Sequence, residues 1–278
     1  EMLLCLVGSE MCIRDRADHF DLAASAQKVY EEEFIKLLSY TETLTKSDNL
    51  VLMGGCALNC LANRHVHKFF KNVWVMPNPG DAGSSIGAIA AGEMQMLNWE
   101  TPYIGEEIKG KYPIKHIMEE LLENNIVGVA NGKAEFGPRA LGNRSLFANP
   151  TGQEMKDLVN KIKQRQEFRP FAPVILEEDV HKHFYVEKGF SSPYMQYIVK
   201  AKDREMYPAI VHKDGTSRVQ TVTRKQHSGL YRLLKQWKKH TGIPMLLNTS
   251  LNIKGEPMVN NRKDADLFQK KYGVKVVS

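Results

Sequence analysis

The 278-residue chain lacks the features that define several large protein classes. Cysteine is scarce: Cys5, Cys12, Cys56 and Cys60 are the only four, with no Cys-x-x-Cys pair and no neighbouring residues that complete a zinc site. Free thiols, buried or partly buried in a reducing cytoplasm, are the expected state. No apolar run approaches membrane-spanning length. The apolar stretch 2–7 is short and follows Glu1, the wrong charge for the leading region of a signal peptide. Nor is there a dense Lys/Arg run interleaved with aromatics, although the formal net charge is +6 and the pI about 9.0. Anionic small substrates account for that basicity better than nucleic acid does. Repeats and low-complexity segments are absent. The remaining composition, 42% hydrophobic and 25% charged, is that of a soluble globular chain of one large or two ordinary domains.

What is present reads as strands and helices in alternation. Residues 17–44 are good helix formers, with Phe20, Val29, Phe34, Leu37 and Leu38 among the apolar positions of amphipathic helix. Residues 49–53 predict a buried strand closed by Gly54-Gly55, and 57–70 a helix with His65 and His67 on its surface. Another strand is expected at 73–76, then a turn to Asp81 and a helix opening in the small-residue stretch 82–88, which Asp81 is placed to cap. Residues 93–106 read as an exposed connection between domains. Downstream, 115–124 and 230–240 predict helices and 126–130, 171–176, 192–199 and 245–247 strands. Thr151 is placed to cap a helix running to Ile162, Asp214-Gly215 signals a hairpin within 208–222, and His181 and His183 read as exposed helix histidines.

The chemistry concentrates in Glu135-Phe136-Gly137-Pro138-Arg139-Ala140-Leu141-Gly142-Asn143-Arg144-Ser145-Leu146. Glycine lets main-chain N–H groups approach a ligand, and arginine presents a planar fork suited to carboxylate or phosphate. Taken alone, the stretch fits an anion site or a surface turn with solvated arginines. Two further segments share its character. Lys163-Gln164-Arg165 leads into Phe168-Arg169-Pro170-Phe171, with Arg169 read as buried between aromatics, and Asn248, Ser250 and Asn252 end an apolar strand. His212, Arg218 and Gln220 fall on strands flanking the Asp-Gly turn. Gathered in one pocket, Lys163, Arg165, Arg169, Arg139 and Arg144 need an anion to offset their repulsion, unless Glu135, Glu167 and Glu256 neutralise them. Ser145, Asn248, Ser250 and Asn252 supply neutral hydrogen bonds.

Four of these segments, EFGPRALGNRS, KQRQEFRPFAP, HKDGTSRVQTV and LLNTSLNIKGEP, resemble in that order the C-terminal domain of the NodU/CmcH family of O-carbamoyltransferases. The pairs Lys163/Arg165 and Ser250/Asn252 are similar to the anion-binding signature of YrdC-like domains. VLMGGCALNCLAN and VMPNPGDAGSSIGAIAAG resemble the second lobe of a Kae1-like, actin-type (ASKHA) ATPase domain. The fold this implies is α/β: half of an actin-like ATPase domain over 17–99, a linker over 100–112, and a YrdC-like α/β domain with a twisted mixed sheet over 113–278. Residues 1–16 match nothing in the pattern and resemble a translated sequencing or assembly scar, so they are set aside. The chain reads as a fragment beginning inside a longer protein.

The resemblance implies a cytoplasmic carbamoyltransferase. Carbamoyl phosphate yields phosphate and carbamate, carbamate and ATP yield carbamoyl adenylate, and the carbamoyl group passes to a hydroxyl of a small molecule or sugar. Catalytic roles fall to Lys163, Arg165 and Arg169. Substrate contacts fall to Arg139, Arg144, Ser145, His212, Arg218, Asn248, Ser250 and Asn252, nucleotide contacts to Gly54, Gly55, Asn59, Gly83 and Ser84, and a metal contact to Asp81. The family's site for iron or another divalent ion also draws on an His-x-x-x-His pair and an acid from a first lobe. His65-Val66-His67 has neither the spacing nor the position, so the ATP and metal site is expected to be half built, and the fragment incomplete for full catalysis. Two other readings stay open: a non-catalytic nucleotide- or anion-binding module, and a relative of the tRNA threonylcarbamoylation enzymes, against which EFGPRALGNRS argues. Neither acceptor nor oligomeric state is legible.

Overall fold

The computed structural model describes residues 16–166, 169 and 171–278. Contacts divide the chain into two compact units. One comprises the residues up to Val51 with Arg64–Trp74, the other Leu52–Asn63 with Val75–Ser278.

The first unit is led by helix α1 (Arg16–Thr45). Strand β1 (Asn49–Leu52) pairs with β2 (Asn72–Val75) as a two-stranded ribbon, too narrow to bury its own faces. The expected buried strand is therefore largely exposed, Val51 at 63%. The Glu31 carboxylate accepts from Arg64 Nη2 at 2.9 Å and meets His65 Nε2 at 2.8 Å. His65 is thus tied down, whereas the sequence placed it free on the surface.

The predicted helix over 57–70 is broken into a 3-10 turn (Gly55–Leu58), one turn of helix α2 (Cys60–Asn63) and a second 3-10 turn (Val66–Lys68). Asparagine is the cause. Asn59 Oδ1 accepts the Ala62 N–H, and Asn63 Nδ2 donates to the carbonyls of Ala57 and Gln196, so both side chains compete with helix continuation. Cys56 is exposed and Cys60 half-buried; both are free thiols. Cys5 and Cys12 lie outside the described residues.

In the second unit, helix α3 (Ser84–Gly92) precedes strand β3 (Tyr103–Ile108), which occupies part of the expected connection by pairing antiparallel with β5 (Gly132–Glu135). Helix α4 (Ile114–Asn124) and strand β4 (Ile126–Ala130) lead to β5, then β6 (Arg144–Ala148), helix α5 (Gln153–Lys163), β7 (Ala172–Leu176) and the single turn α6 (Val180–His183). β8 (Tyr197–Lys200), β9 (Thr216–Val222), α7 (Ser228–Thr241), β10 (Met245–Ser250), α8 (Arg262–Tyr272) and β11 (Val276–Val277) complete it.

The architecture is α/β around a seven-stranded sheet ordered β11-β4-β6-β10-β7-β9-β8. β11/β4 and β7/β9 are parallel and the other neighbours antiparallel, so the sheet is mixed. Its central strands are apolar at successive positions because both faces are covered. Ile126, Leu146, Ile175 and Met245 join a core with Met155 and Val159 of α5 and Phe268 of α8. Their neighbours Val127, Phe147, Val174 and Leu246 join a second core with Ile117 and Leu121 of α4 and Leu233 and Trp237 of α7. The two-residue period of the strand sorts them. Among the described residues, no helix is long and apolar enough to cross a membrane.

Several local expectations are corrected. The residue capping the 3-10 turn Asp81–Gly83 is Gly80, with Asp81 exposed inside the turn, and α5 is capped by Gly152 rather than Thr151. Asp214-Gly215 turns the chain without making a hairpin: residues 208–212 are not a strand, and β9 pairs with β8 and β7. The strand expected over 192–199 is confined to β8. His183 is half-buried, with Nδ1 3.1 Å from the Tyr207 hydroxyl.

One glycine in the α3 turn is dictated by close approach. A Cβ on Gly83 would fall 1.8 Å from the Asn78 carbonyl oxygen, whereas one on Gly87, within α3, would meet nothing within 4 Å. Gly83→Ala is therefore expected to destabilise by about 2 kcal/mol or more, and Gly87→Ala to stabilise by up to about 1 kcal/mol. Urea midpoints of the two variants moving in the same direction would contradict this packing.

Candidate anion-binding site

The glycine-rich arginine stretch between β5 and β6 is shaped by one carboxylate. Glu135 Oε1 accepts the backbone N–H groups of Leu141, Asn143 and Arg144 at 2.7, 2.8 and 3.2 Å. Outward-facing carbonyls of the same loop are clasped by two phenols: Tyr103 donates to Leu141 O at 3.0 Å and Tyr112 to Gly142 O at 2.9 Å. Burial, with Glu135 next, raises both phenols well above their ordinary pKa, so they remain donors. Between them sits His227, its ring edge-on to both. Its Nδ1 accepts the Leu230 N–H at the start of α7, which leaves Nε2–H to donate to Asn143 Oδ1 at 2.8 Å.

This scaffold leaves Arg139 on the rim of a cavity of about 420 Å³. Arg165, just beyond α5, Arg169, and Arg218 on β9 line it with Arg139, together with Cys60, Leu61, Phe171, Ile198, His212 and Asp214. Arg165 is held on two sides: its Nε donates to Asn160 Oδ1 at 2.9 Å and its guanidinium lies 3.9 Å from the centre of the Phe171 ring. Arg218 Nε is buried and has no hydrogen-bond partner among the described residues. Asp214 is the single carboxylate in the lining among the described residues, and it accepts from the Thr216 N–H and hydroxyl at 3.0 and 2.7 Å.

Burial first, and like charge second, lower the proton affinity of Arg139 and Arg165. Burial, then Arg218, pulls Arg139 down to about 10, with Cys60 acting the other way. Burial, then Arg169 and Arg218, brings Arg165 to about 10. Arg218 is lowered by burial. All stay cationic at neutral pH. His212 is pushed down to about 4 by burial, against Asp214 and with Arg218 and Lys156, so its ring is neutral.

The structure therefore gathers Arg139, Arg165, Arg169, His212 and Arg218, and places the other expected residues elsewhere. Arg144 is fully buried and spends its guanidinium on the carbonyls of Glu106, Asn131, Gly132, Asn143 and Asn260. Lys163 Nζ donates to Ser250 O, Ser250 Oγ and Asn252 Oδ1 at 2.6, 3.1 and 2.7 Å. Burial, then Arg165, brings this amine down to about 7. Asn248 Nδ2 donates to Ala140 O and Gln220 Oε1, and Ser145 Oγ is buried with no partner among the described residues.

Arg169 is exposed rather than buried, and its neighbours Glu167, Phe168 and Pro170 lie outside the described residues. Glu135 is taken by the loop and Glu256 by Lys271 and Tyr272, so neither neutralises the cavity. Sequence reading missed Cys60, Asn160 and Thr216. Only Asn160, five residues before Arg165, was within reach of helix spacing.

The nucleotide-type residues form a separate cluster. The Gly54 N–H donates to Pro79 O at 2.8 Å, setting the Gly54-Gly55 turn beside the Asp81 turn. Asn59 caps α2, and Ser84 and Asp81 are exposed. Among the described residues, no group of three or more His, Cys, Asp or Glu side chains is arranged to hold a metal ion.

Comparison with known proteins gives two family matches. "Carbamoyltransferase N-terminus" covers residues 7–90, starting inside the stretch set aside above, and "Carbamoyltransferase C-terminus" covers residues 118–277. The chain is 33% identical to nodulation protein NolNO of Sinorhizobium fredii over 89% of its own length and 41% of the relative's. It is 36% identical to nodulation protein U of the same species over 86% and 45%, and 34% identical to the uncharacterized protein sll1178 of Synechocystis over 88% and 49%. The chain thus spans about half the length of these relatives, or less.

A pH prediction follows from His227. Burial depresses it to about 4, below its ordinary 6.5, so the unfolded chain binds this proton first as the pH falls. The stability it contributes is fully present above pH 6.5 and is lost as the pH falls through about 4. The difference in urea stability between wild type and His227→Gln is expected to be largest above pH 6.5 and to shrink towards pH 4. A pH-independent difference would exclude the neutral buried imidazole.

Proposed function

The chain belongs to the carbamoyltransferase family, and from that premise we propose that its arginine-lined cavity binds carbamoyl phosphate for transfer of the carbamoyl group to a hydroxyl of a small molecule. The observation that carries this reading is the charge imbalance: among the described residues, four arginines and one carboxylate line the same cavity, and that carboxylate is hydrogen-bonded to Thr216. A phosphate dianion relieves the repulsion and accepts several charge-assisted hydrogen bonds, each contributing roughly 1.5–3 kcal/mol. Arg165 is pre-oriented by Asn160 and Phe171, so little of that gain is lost in ordering it.

On this reading residues 113–278 are the YrdC-like domain and 17–99 half of an actin-type ATPase domain. Water cleaves carbamoyl phosphate to phosphate and carbamate, carbamate oxygen displaces pyrophosphate from ATP to give carbamoyl adenylate, and the acceptor hydroxyl then displaces AMP. The guanidiniums hold the phosphate oxygens through the first step. Lys163, clamped by Ser250 and Asn252, and the buried Arg144 position the walls rather than the ligand. Gly54, Gly55, Asn59, Gly83 and Ser84 mark the side from which ATP is approached. A metal ion does not fit the described residues, since Asp81 is a lone exposed carboxylate there, and no step is assigned to one.

Calorimetric titration with carbamoyl phosphate tests the cavity. Arg165→Ala is expected to weaken binding about tenfold or more, about 1.4 kcal/mol, in a variant whose circular dichroism matches wild type. Equal affinities would remove Arg165 from the site and leave the reading without its best-held cation.

A further inference from the structure

Besides the Asp214 carboxylate, which is hydrogen-bonded to Thr216, the cavity lining holds a neutral ring whose hydrogen-bonding character differs from that of the arginines around it. The arginines are donors only, and a guanidinium cannot accept a hydrogen bond. His212 also lines the cavity, and its tautomer is set by a chain of hydrogen bonds. The Thr216 hydroxyl has one proton, which it donates to Asp214 Oδ1 at 2.7 Å. Asp214 is ionised: burial acting upward on it is outweighed by the Thr216 hydrogen bonds. Thr216 Oγ1 can therefore only accept from His212, 3.1 Å away, which places the ring proton on Nδ1. His212 Nε2 is left as a bare lone pair, buried and with no partner among the described residues. A buried acceptor without a donor calls for an explanation, and a ligand N–H supplies one.

We propose that His212 Nε2 accepts a hydrogen bond from the NH₂ group of carbamoyl phosphate and so selects a carbamoyl group over an acyl group that carries a methyl in its place. This rests on the reading of the cavity as a carbamoyl phosphate site. The arginines bind phosphate whatever acyl group it carries, so they recognise the anion without reading the group attached. A methyl set against Nε2 leaves the lone pair unsatisfied, and a site built to pair with an N–H rejects the analogue that lacks it. Neutrality of the ring is part of the device, since an imidazolium would carry a proton on Nε2 and could no longer accept. Burial beside Arg218 maintains that neutrality.

The test titrates the full chain, as wild type, His212→Leu and His212→Gln, with carbamoyl phosphate, acetyl phosphate and inorganic phosphate. Wild type is expected to prefer carbamoyl phosphate to acetyl phosphate by about tenfold or more. His212→Leu should lose most of that preference while binding inorganic phosphate within about twofold of wild type, and His212→Gln, whose amide oxygen restores an acceptor, should recover part of it. A folded His212→Leu protein with the full wild-type preference would overturn the assignment and leave the anion cavity standing. Failure of wild type to bind inorganic phosphate and carbamoyl phosphate would overturn both. The ¹⁵N spectrum of the wild-type ring gives a readout independent of any variant: a protonated Nδ1 and a bare Nε2 are expected, and the reverse tautomer would refute the proposal.

Discussion

Three backbone N–H groups converging on one oxygen of Glu135 are the constraint on which the site depends. A loop rich in glycine has many conformations, and fixing it costs roughly 1–2 kcal/mol of backbone entropy per residue. The buried carboxylate offsets part of that cost with hydrogen bonds that favour one loop conformation. Tyr103, Tyr112 and His227 then take the carbonyls and side chain that this conformation turns outward. The loop is held by groups other than Arg139, whose guanidinium lines the cavity. Replacing Glu135 would therefore disturb the site without touching a residue that lines it.

The cations of this unit divide by what satisfies them. Arg144 and Lys163 are surrounded by neutral oxygens of the chain itself, Arg144 by carbonyls from three separate stretches of sequence and Lys163 by the end of β10 and Asn252. Their hydrogen-bonding capacity is spent on holding the chain together. Arg139, Arg165, Arg169 and Arg218 face a shared space instead, and the proton affinity of Arg139 and Arg165 is lowered by burial first and by neighbouring arginines second. Such a cluster disfavours the folded state unless something anionic enters, so its retention is intelligible as a binding device. Burial, with Arg218 adding to it, keeps His212 neutral, so its Nε2 remains a hydrogen-bond acceptor beside the arginine donors.

The sheet was legible in the sequence because its strands are buried on both faces, and a run such as Ile126-Val127-Gly128-Val129-Ala130 has few alternatives. The segments carrying the cavity were legible too, since arginine among glycine and proline is unusual chemistry for a turn. Which arginine binds and which builds was not legible. Arg144 lies five residues from Arg139, yet its guanidinium ends among carbonyls contributed by residues 106 and 260, a consequence of strand pairing that no local spacing encodes. Broken helices were missed for a related reason: Asn59 and Asn63 have side chains that bond locally, and composition averages over that competition. The tautomer of His212 depends on Thr216 and Asp214 across a turn, a three-dimensional arrangement of residues that sequence reading took for a hairpin.

The glycines of the other cluster separate in the same way. Gly83 is required by the chain itself, because the Asn78 carbonyl occupies the place of a side chain, so its presence says nothing about phosphate. Gly54 is required by its backbone, at a φ of 93° that side chains disfavour. Gly55 is required by neither: its φ lies outside the left-handed region, and a Cβ there would meet nothing within 4 Å. Its bare backbone, beside the turn that carries Asp81, leaves room for a group from outside this chain to approach closely. Gly83 is therefore accounted for by packing alone, whereas the fold places no such constraint on Gly55.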